Sequence, residues 1–280
     1  MKTIKIVIKE IGEVLELRGV VESYEEIAAM RMQNIRGDII NSREYFEGLS
    51  KLSKEVGVDY NLVNPERDTS TATIFISANA GLYGDIIEKT FFLFRDYISK
   101  NRSTPFVIGR RGAELMRDYC PNVAYYSFDL SDDKIEEDKF RDLIVKILKF
   151  NNIVVFYGKF LNVVNQSAAQ TVISGELLKS SEVESEEKKK RLKFLYEPSL
   201  SEISKVMGNE ILASIFEAMV RESQLAKYAS RLMYLDSSID RIDNELANFD
   251  REKIKIKKRL LDKKQRLLVT GVMSRGYASK

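Results

Sequence analysis

From Asn209 to Thr270 the chain runs 62 residues without a glycine or a proline, bracketed by Gly208 and Gly271. As one α-helix this stretch spans about 93 Å at 1.5 Å per residue, whereas a globular helix averages ~11–12 residues. Such a helix cannot wrap a compact core. Its apolar spacing shows what it does instead. Leu235, Ile239, Ile242, Leu246, Phe249, Ile256, Leu260 and Leu267 fall on alternating steps of four and three, and Lys253 and Lys263 complete the series. That is a coiled-coil seam. The N-terminal stretch offers a partner, with Leu17, Val21, Tyr24, Ala28, Met32, Ile35 and Ile39 recurring at three or four and Phe46 and Leu49 extending the stripe. Gly12, Gly19, Gly37 and Gly48 weaken that helix by up to ~1 kcal/mol each relative to Ala, and would also allow close helix approach. The two terminal helices are expected to pair antiparallel.

Between them the pattern changes to short β-branched runs alternating with helical ones. Thr71–Ser77 reads as a strand, followed by a turn with Gly81 and Gly84 and a helix to about Lys100. Pro105–Ile108 is the next strand, then Gly109 and a helix over Arg110–Tyr119. Val123–Phe128, a helix over Asp133–Phe150 and a fourth strand, Ile153–Tyr157, follow. This alternation predicts a Rossmann-like α/β domain with a parallel sheet. The expected division is an N-terminal coiled-coil helix over 1–67, an α/β foot over 68–200 and a long C-terminal coiled-coil helix over 201–280. Residues 179–193, rich in Ser, Glu and Lys, read as a solvated connector.

Composition narrows the chemistry. The chain has no histidine, which removes imidazole acid–base catalysis, Ser-His-Asp triads and His-based zinc sites. Its one cysteine, Cys120, has no imidazole to activate it and reads as a buried filler before Pro121. No stretch approaches the ~18 apolar residues of a membrane span, and the lysine-interrupted start lacks a signal-peptide pattern. The net charge of +3 hides a division: Arg251–Lys280 holds 11 basic and 2 acidic residues, leaving 34 and 40 for the rest. The body is therefore −6 and the last 30 residues +9.

Two glycine turns, Gly81-Leu82-Tyr83-Gly84 and Gly109-Arg110-Arg111-Gly112, follow strands and lead into helices, where backbone N–H groups bind phosphate. Neither has the P-loop or dinucleotide spacing, and a tight turn is the simpler reading. Asp132-Asp133 and Glu136-Glu137 read as an acidic helix start. The basic run is more informative. Nine cations lie between Arg251 and Arg266 with only Glu252 and Asp262 opposing, spread around the helix. A helix C-terminus favours cations by only ~0.3–1 kcal/mol each, which points to an acidic sleeve or an anionic polymer. Interleaved aromatics that would favour nucleic acid are missing between Phe249 and Tyr277.

Collinear segments carry a resemblance. Ile27-Ala28-Ala29-Met30-Arg31-Met32, Ser77–Gly84, Val107-Ile108-Gly109-Arg110-Arg111-Gly112, Tyr157-Gly158-Lys159-Phe160-Leu161-Asn162, Leu195-Tyr196-Glu197-Pro198-Ser199, Glu217–Ser223 and Ala229-Ser230-Arg231-Leu232 resemble, in order, segments of the gamma subunit, the central stalk of F-type rotary ATP synthases. Departures mark a divergent member: the family's Arg and Cys in the glycine turn become Asn79/Ala80 and Tyr83, and Glu22 replaces a lysine.

The resemblance implies a non-catalytic, cofactor-free rotor subunit that couples a turning membrane ring to an alpha/beta catalytic hexamer. Implied partners are the alpha and beta subunits, an epsilon-type subunit and the membrane rotor ring, with no nucleic acid and no direct membrane insertion. The implied location is peripheral to an energy-transducing membrane, on the cytoplasmic face of a bacterial inner membrane. Lys257 and Lys258 are expected to meet acidic loops of the hexamer, supported by Lys255, Arg259, Lys263, Lys264 and Arg266. Leu267, Leu268 and Val269 would form the bearing. Two alternatives stay open: the shaft of a specialised ATPase without a proton ring, and a coiled-coil protein that binds nucleic acid.

Overall fold

The computed structural model describes residues 3–56, 68–174, 197 and 199–277. Its elements are α1 (Ile4–Val56), β1 (Asp68–Ile76), α2 (Ile86–Lys100), β2 (Thr104–Ile108), α3 (Arg110–Tyr119), β3 (Tyr126–Phe128), α4 (Glu137–Ile147), β4 (Phe150–Phe160), β5 (Gln166–Ser174) and α5 (Leu200–Tyr277). Helix α5 passes through both Gly208 and Gly271, so neither glycine ends it. The expected connector at 179–193 lies outside the described residues. The chain divides into two compact units, Ala28–Met233 and 1–27 together with Tyr234–Lys280.

In the unit Ala28–Met233 the sheet order is β3-β2-β1-β4-β5. The first four strands are parallel, with Ile74 of β1 level with Phe106 of β2 and Val155 of β4. Strand β5 corrects the all-parallel expectation: it runs antiparallel to β4, from Asn152↔Ser174 to Phe160↔Gln166. The hairpin between them is built by Asn162, whose side-chain oxygen accepts from the Val164 and Asn165 amides at 3.0 and 2.7 Å, an Asx turn. Its sequence, Gln-Ser-Ala-Ala-Gln-Thr-Val-Ile-Ser, is too poor in β-branched residues to announce a strand.

The sheet is buried on both faces, as parallel strands require. Ile86, Phe91 and Phe94 of α2 and Leu115 and Met116 of α3 cover one face, over Phe75, Val107, Val154 and Phe156. Leu143 and Ile147 of α4 cover the other, over Ile74, Phe106 and Val155. Ile211, Leu212, Phe216 and Val220 of α5 join that second layer. A domain boundary at 200/201 therefore falls before residues that pack into the sheet's own core.

Gly109 and Gly112 are there for packing. Gly109 has φ +97°, and a Cβ on it would lie 2.8 Å from the Ala78 backbone; one on Gly112 would meet Val107 at 2.7 Å and Ser77 at 2.8 Å. By contrast, a Cβ at Gly12, Gly19, Gly37 or Gly48 meets nothing within 4 Å. Those four glycines do not serve a close helix approach.

In the unit 1–27 with Tyr234–Lys280, α1 and α5 lie antiparallel. Arg18 Nε sits 2.7 Å from Asp243 Oδ1, and Glu25 faces Asp236, its carboxyl pushed up by burial and then by that aspartate. Leu235 and Ile242 are buried; Ile239, Leu246, Phe249 and Ile256 are half-buried. The α1 side of the seam differs from expectation. Leu17 and Tyr24 are about half exposed, and the covered row instead runs through Val7, Ile11, Val14, Arg18, Val21 and Glu25, flanked by the partly covered Ile4, Glu10 and Glu22. Two charged residues occupy the seam and the neighbouring apolar ones point away.

Candidate functional site

Two regions carry charge in ways that call for a function. The first is the end of α5. In the register set by Arg18 and Asp243, the start of α1 at Ile4 comes level with the neighbourhood of Lys257. Beyond that point the seam of α5 has nothing described opposite it. Every residue from Lys257 to Thr270 is exposed. Leu260, expected to continue the paired seam, is 53% exposed, a correction that follows from its partner helix running out. Leu267, Leu268 and Val269 are exposed in the same way. Lys255, Lys257, Lys258, Arg259, Lys263, Lys264 and Arg266 are exposed too, and among the described residues none of the seven forms an ion pair. These cations, interleaved with leucines that no described residue covers, make a surface both basic and apolar.

The second region joins α5 to the α/β sheet. Lys227 lies on the face of α5 turned toward the sheet and is 3% exposed. Its ammonium donates to Asp132 Oδ1 at 2.7 Å and to the Ser77 carbonyl at 2.9 Å. The other carboxylate oxygen of Asp132 accepts from the Asn79 and Ala80 amides at 2.8 and 2.9 Å, closing the turn after β1. Burial opposes ionisation of Asp132, but Lys227 and the two amides outweigh it and hold its carboxyl below the usual value. Asp133, read as part of an acidic helix start, instead accepts from the Tyr228 hydroxyl and pairs with Arg31 of α1 at 3.3 Å. Helix α4 starts at Glu137, with Glu136 at its N-cap, so the acidic start is Glu136, Glu137 and Asp138.

The glycine turn is clamped from the same helix. Ser230 Oγ donates to the Tyr83 carbonyl at 2.8 Å, and Arg231 Nη2 to the Gly81 carbonyl at 2.6 Å. The Arg231 guanidinium lies 4.1 Å over the Tyr83 ring, which meets Tyr228 edge-on at 6.0 Å. Burial pushes both tyrosine hydroxyls well above their ordinary range, and the Tyr228 hydroxyl donates to Asp133. Gly84 has φ +58°, and a Cβ there would meet Ser230 Oγ at 2.8 Å. The turn at Gly109 is equally occupied: the Arg110 amide donates to Asn79 Oδ1 and the Arg111 amide to the Ala78 carbonyl. The Asn79, Ala80, Arg110 and Arg111 amides are therefore all used internally, tying the two turns to each other and to Asp132.

A family model described as ATP synthase matches residues 3–256. The chain belongs to the ATP synthase gamma family. It is 22% identical over 259 residues to the ATP synthase gamma chain of Pelagibacter ubique, covering 85% of this chain and 87% of that one. It is 23% identical over 253 residues to that of Caldicellulosiruptor saccharolyticus, covering 83% and 85%. Its fold is similar to a chain in the Euglena gracilis mitochondrial ATP synthase OSCP/F1/c-ring structure, with a TM-score of 0.64 at 14% identity, over 99% of this chain and 95% of that one. The segments that resemble gamma subunits meet in space here: Ala229–Leu232 on α5 lies against Gly81–Gly84, through Ser230 and Arg231.

Sequence reasoning singled out the cations at the end of α5 but not Lys227, Asp132, Tyr228 or Arg231 as a group. Nothing in their spacing links them, because Lys227 and Asp132 are 95 residues apart. The available signal was a polar row at helical spacing, Ser223, Gln224, Lys227, Ser230 and Arg231, beside the apolar Leu225, Ala226 and Ala229. Among the described residues no helix is long and apolar enough to cross a membrane.

Proposed function

We propose that this gamma chain is the rotating shaft of an ATP synthase or ATPase and itself catalyses nothing. The observation that carries this reading is the end of α5, where the seam and a dense set of cations continue past the cover of α1. In this reading the exposed end enters the bore of an alpha/beta hexamer. Lys257 and Lys258 meet acidic loops there, Lys255, Arg259, Lys263, Lys264 and Arg266 add attraction, and Leu267, Leu268 and Val269 bear on an apolar sleeve. Unequal faces of the turning helix would then present different surfaces to the three catalytic sites, biasing each toward a different state.

The α/β unit is the foot, docking an epsilon-type subunit and the membrane ring, and the clamp around Lys227 and Asp132 is where load enters α5. A buried pair that also fixes two backbone amides resists shear better than a surface contact, because slippage would strand a charge in the interior. The reading places the chain at the periphery of an energy-transducing membrane, on the cytoplasmic face of a bacterial inner membrane. Purification of the native complex tests it. A stoichiometric alpha/beta hexamer is expected, a co-purifying ring marks a synthase, and a hexamer without a ring marks a specialised ATPase. Recovery of the chain on nucleic acid without a hexamer would overturn it.

A further inference from the structure

Within the α/β unit the facing surfaces of α1 and α5 are not completely filled. A cavity of about 480 Å³ opens between Ile39–Phe46 of α1, Ser214–Leu225 of α5 and the end of β4 at Tyr157 and Phe160. Its origin is legible in the side chains. The α1 series Ala28, Met32, Ile35, Ile39 continues to Ser42, and α5 supplies Ser214 and Ala218, so small groups stand where bulky ones would close the gap. Ile39, Phe46, Phe160 and Ile215 are left only half-buried around it. The size falls within the ~300–1,000 Å³ typical of small-molecule sites.

Most polar groups at the cavity already have partners. Arg221 is held by Glu217 at 2.7 Å and Asp38 at 3.0 Å. Burial pushes the Glu222 carboxyl above its ordinary value, against the opposing pull of Lys159, the Tyr157 hydroxyl and the Phe160 amide. What remains is at the mouth. Arg43 is exposed, and among the described residues it forms no ion pair or hydrogen bond; nor do the hydroxyls of Ser42 and Ser214 form a hydrogen bond. Arg36 adds a second cation alongside, 5.9 Å over the Phe160 ring.

We propose that this cavity binds an anionic amphiphile, with its body between Phe46, Ile215 and Met219 and its carboxylate- or phosphate-type head on Arg43. An apolar chamber with one unpaired guanidinium at its rim suits that chemistry, since a charged head stays partly in water while gaining charge-assisted hydrogen bonds. A cationic amphiphile would meet Arg43 and Arg36 instead and be repelled. Occupancy would also tie α1 to α5 at this level.

Titration calorimetry of the full chain with sodium dodecanoate, below its micelle concentration, tests the site. One-to-one saturation with a rise in Tm is expected, with dodecyltrimethylammonium showing neither. Arg43→Ala, a surface change, should weaken dodecanoate binding about tenfold. Ser214→Leu should fill the cavity and abolish binding without lowering Tm; if that variant misfolds, Ser42→Leu serves the same purpose. Equal binding of the cationic probe, or unchanged affinity in the filled variant, overturns the proposal. So does recruitment to anionic-lipid vesicles without dodecanoate saturation, which would assign the arginines to a membrane surface. None of these results bears on the shaft reading.

Discussion

Lysine does opposite work in the two parts of this molecule. Lys227 is removed from water, bonded to a carboxylate and a carbonyl, and locked between α5 and the turn after β1. Lys257 and Lys258, thirty residues further along the same helix, are fully in solvent with no ion-pair partner among the described residues. Buried charge is tolerated only when every neighbour is in place, so it rigidifies; exposed charge costs nothing internally and stays available to another surface. The gamma chain thus keeps buried, paired charge and exposed, unpaired charge on separate stretches of one helix.

The sharpest way to break that comparison is at Lys227. Lys227→Met strands the Asp132 carboxylate and is expected to cost about 3–5 kcal/mol of unfolding free energy, measured by chemical denaturation. Adding Asp132→Asn should recover part of it. The pair also sets an acid limit. Because the folded carboxyl of Asp132 lies below its ordinary value, its contribution is complete above the unfolded pKa of about 4 and is lost as pH falls through the folded one. A pH series of Tm should show that decline in the parent and a flatter one in Lys227→Met. Gly109→Ala, forcing a side chain at φ +97° and 2.8 Å from the Ala78 backbone, should cost about 1–3 kcal/mol.

Smaller effects sharpen the other side. Alanine at Gly12, Gly19, Gly37 or Gly48, where a Cβ has open space, should stabilise α1 by ~0.5–1 kcal/mol each, read as a rise in Tm. Lys257→Glu with Lys258→Glu should leave the isolated chain's stability within about 0.5 kcal/mol, while hexamer assembly and ATPase rate fall. An unchanged rate would sink the role assigned to those two lysines.

What could be read in advance follows from how local each signal is. The α5 seam and the strands Thr71–Ser77 and Pro105–Ile108 declare themselves by spacing within a few residues, and the described strands lie within a few positions of them. The α1 seam was misread because Val21 and Ala28 belong to two rows at once: Leu17 and Tyr24 complete one, Arg18 and Glu25 the other. Hydrophobicity selects the first row, yet the paired surface uses the second, where Arg18 finds Asp243 and Glu22. Strand β5 was missed because its residues are small and polar and its pairing is supplied by β4. The clamp at Lys227 was invisible for a different reason. Its partners come from the turn after β1, the Asp132-Asp133 segment between β3 and α4, and Arg31 of α1, and only the folded chain brings them within hydrogen-bond reach.

The uncovered end of α5 has a consequence for the life of the chain before it finds a partner. Leu260, Leu261, Leu267, Leu268 and Val269 together are the kind of exposed apolar row that draws free copies into aggregates. Lys257, Lys258, Lys263, Lys264 and Arg266 are threaded through the same turns, where like charges on two approaching copies repel. The cations therefore act as gatekeepers of solubility in the unassembled subunit, so neutralising them would show first as lost yield of soluble protein.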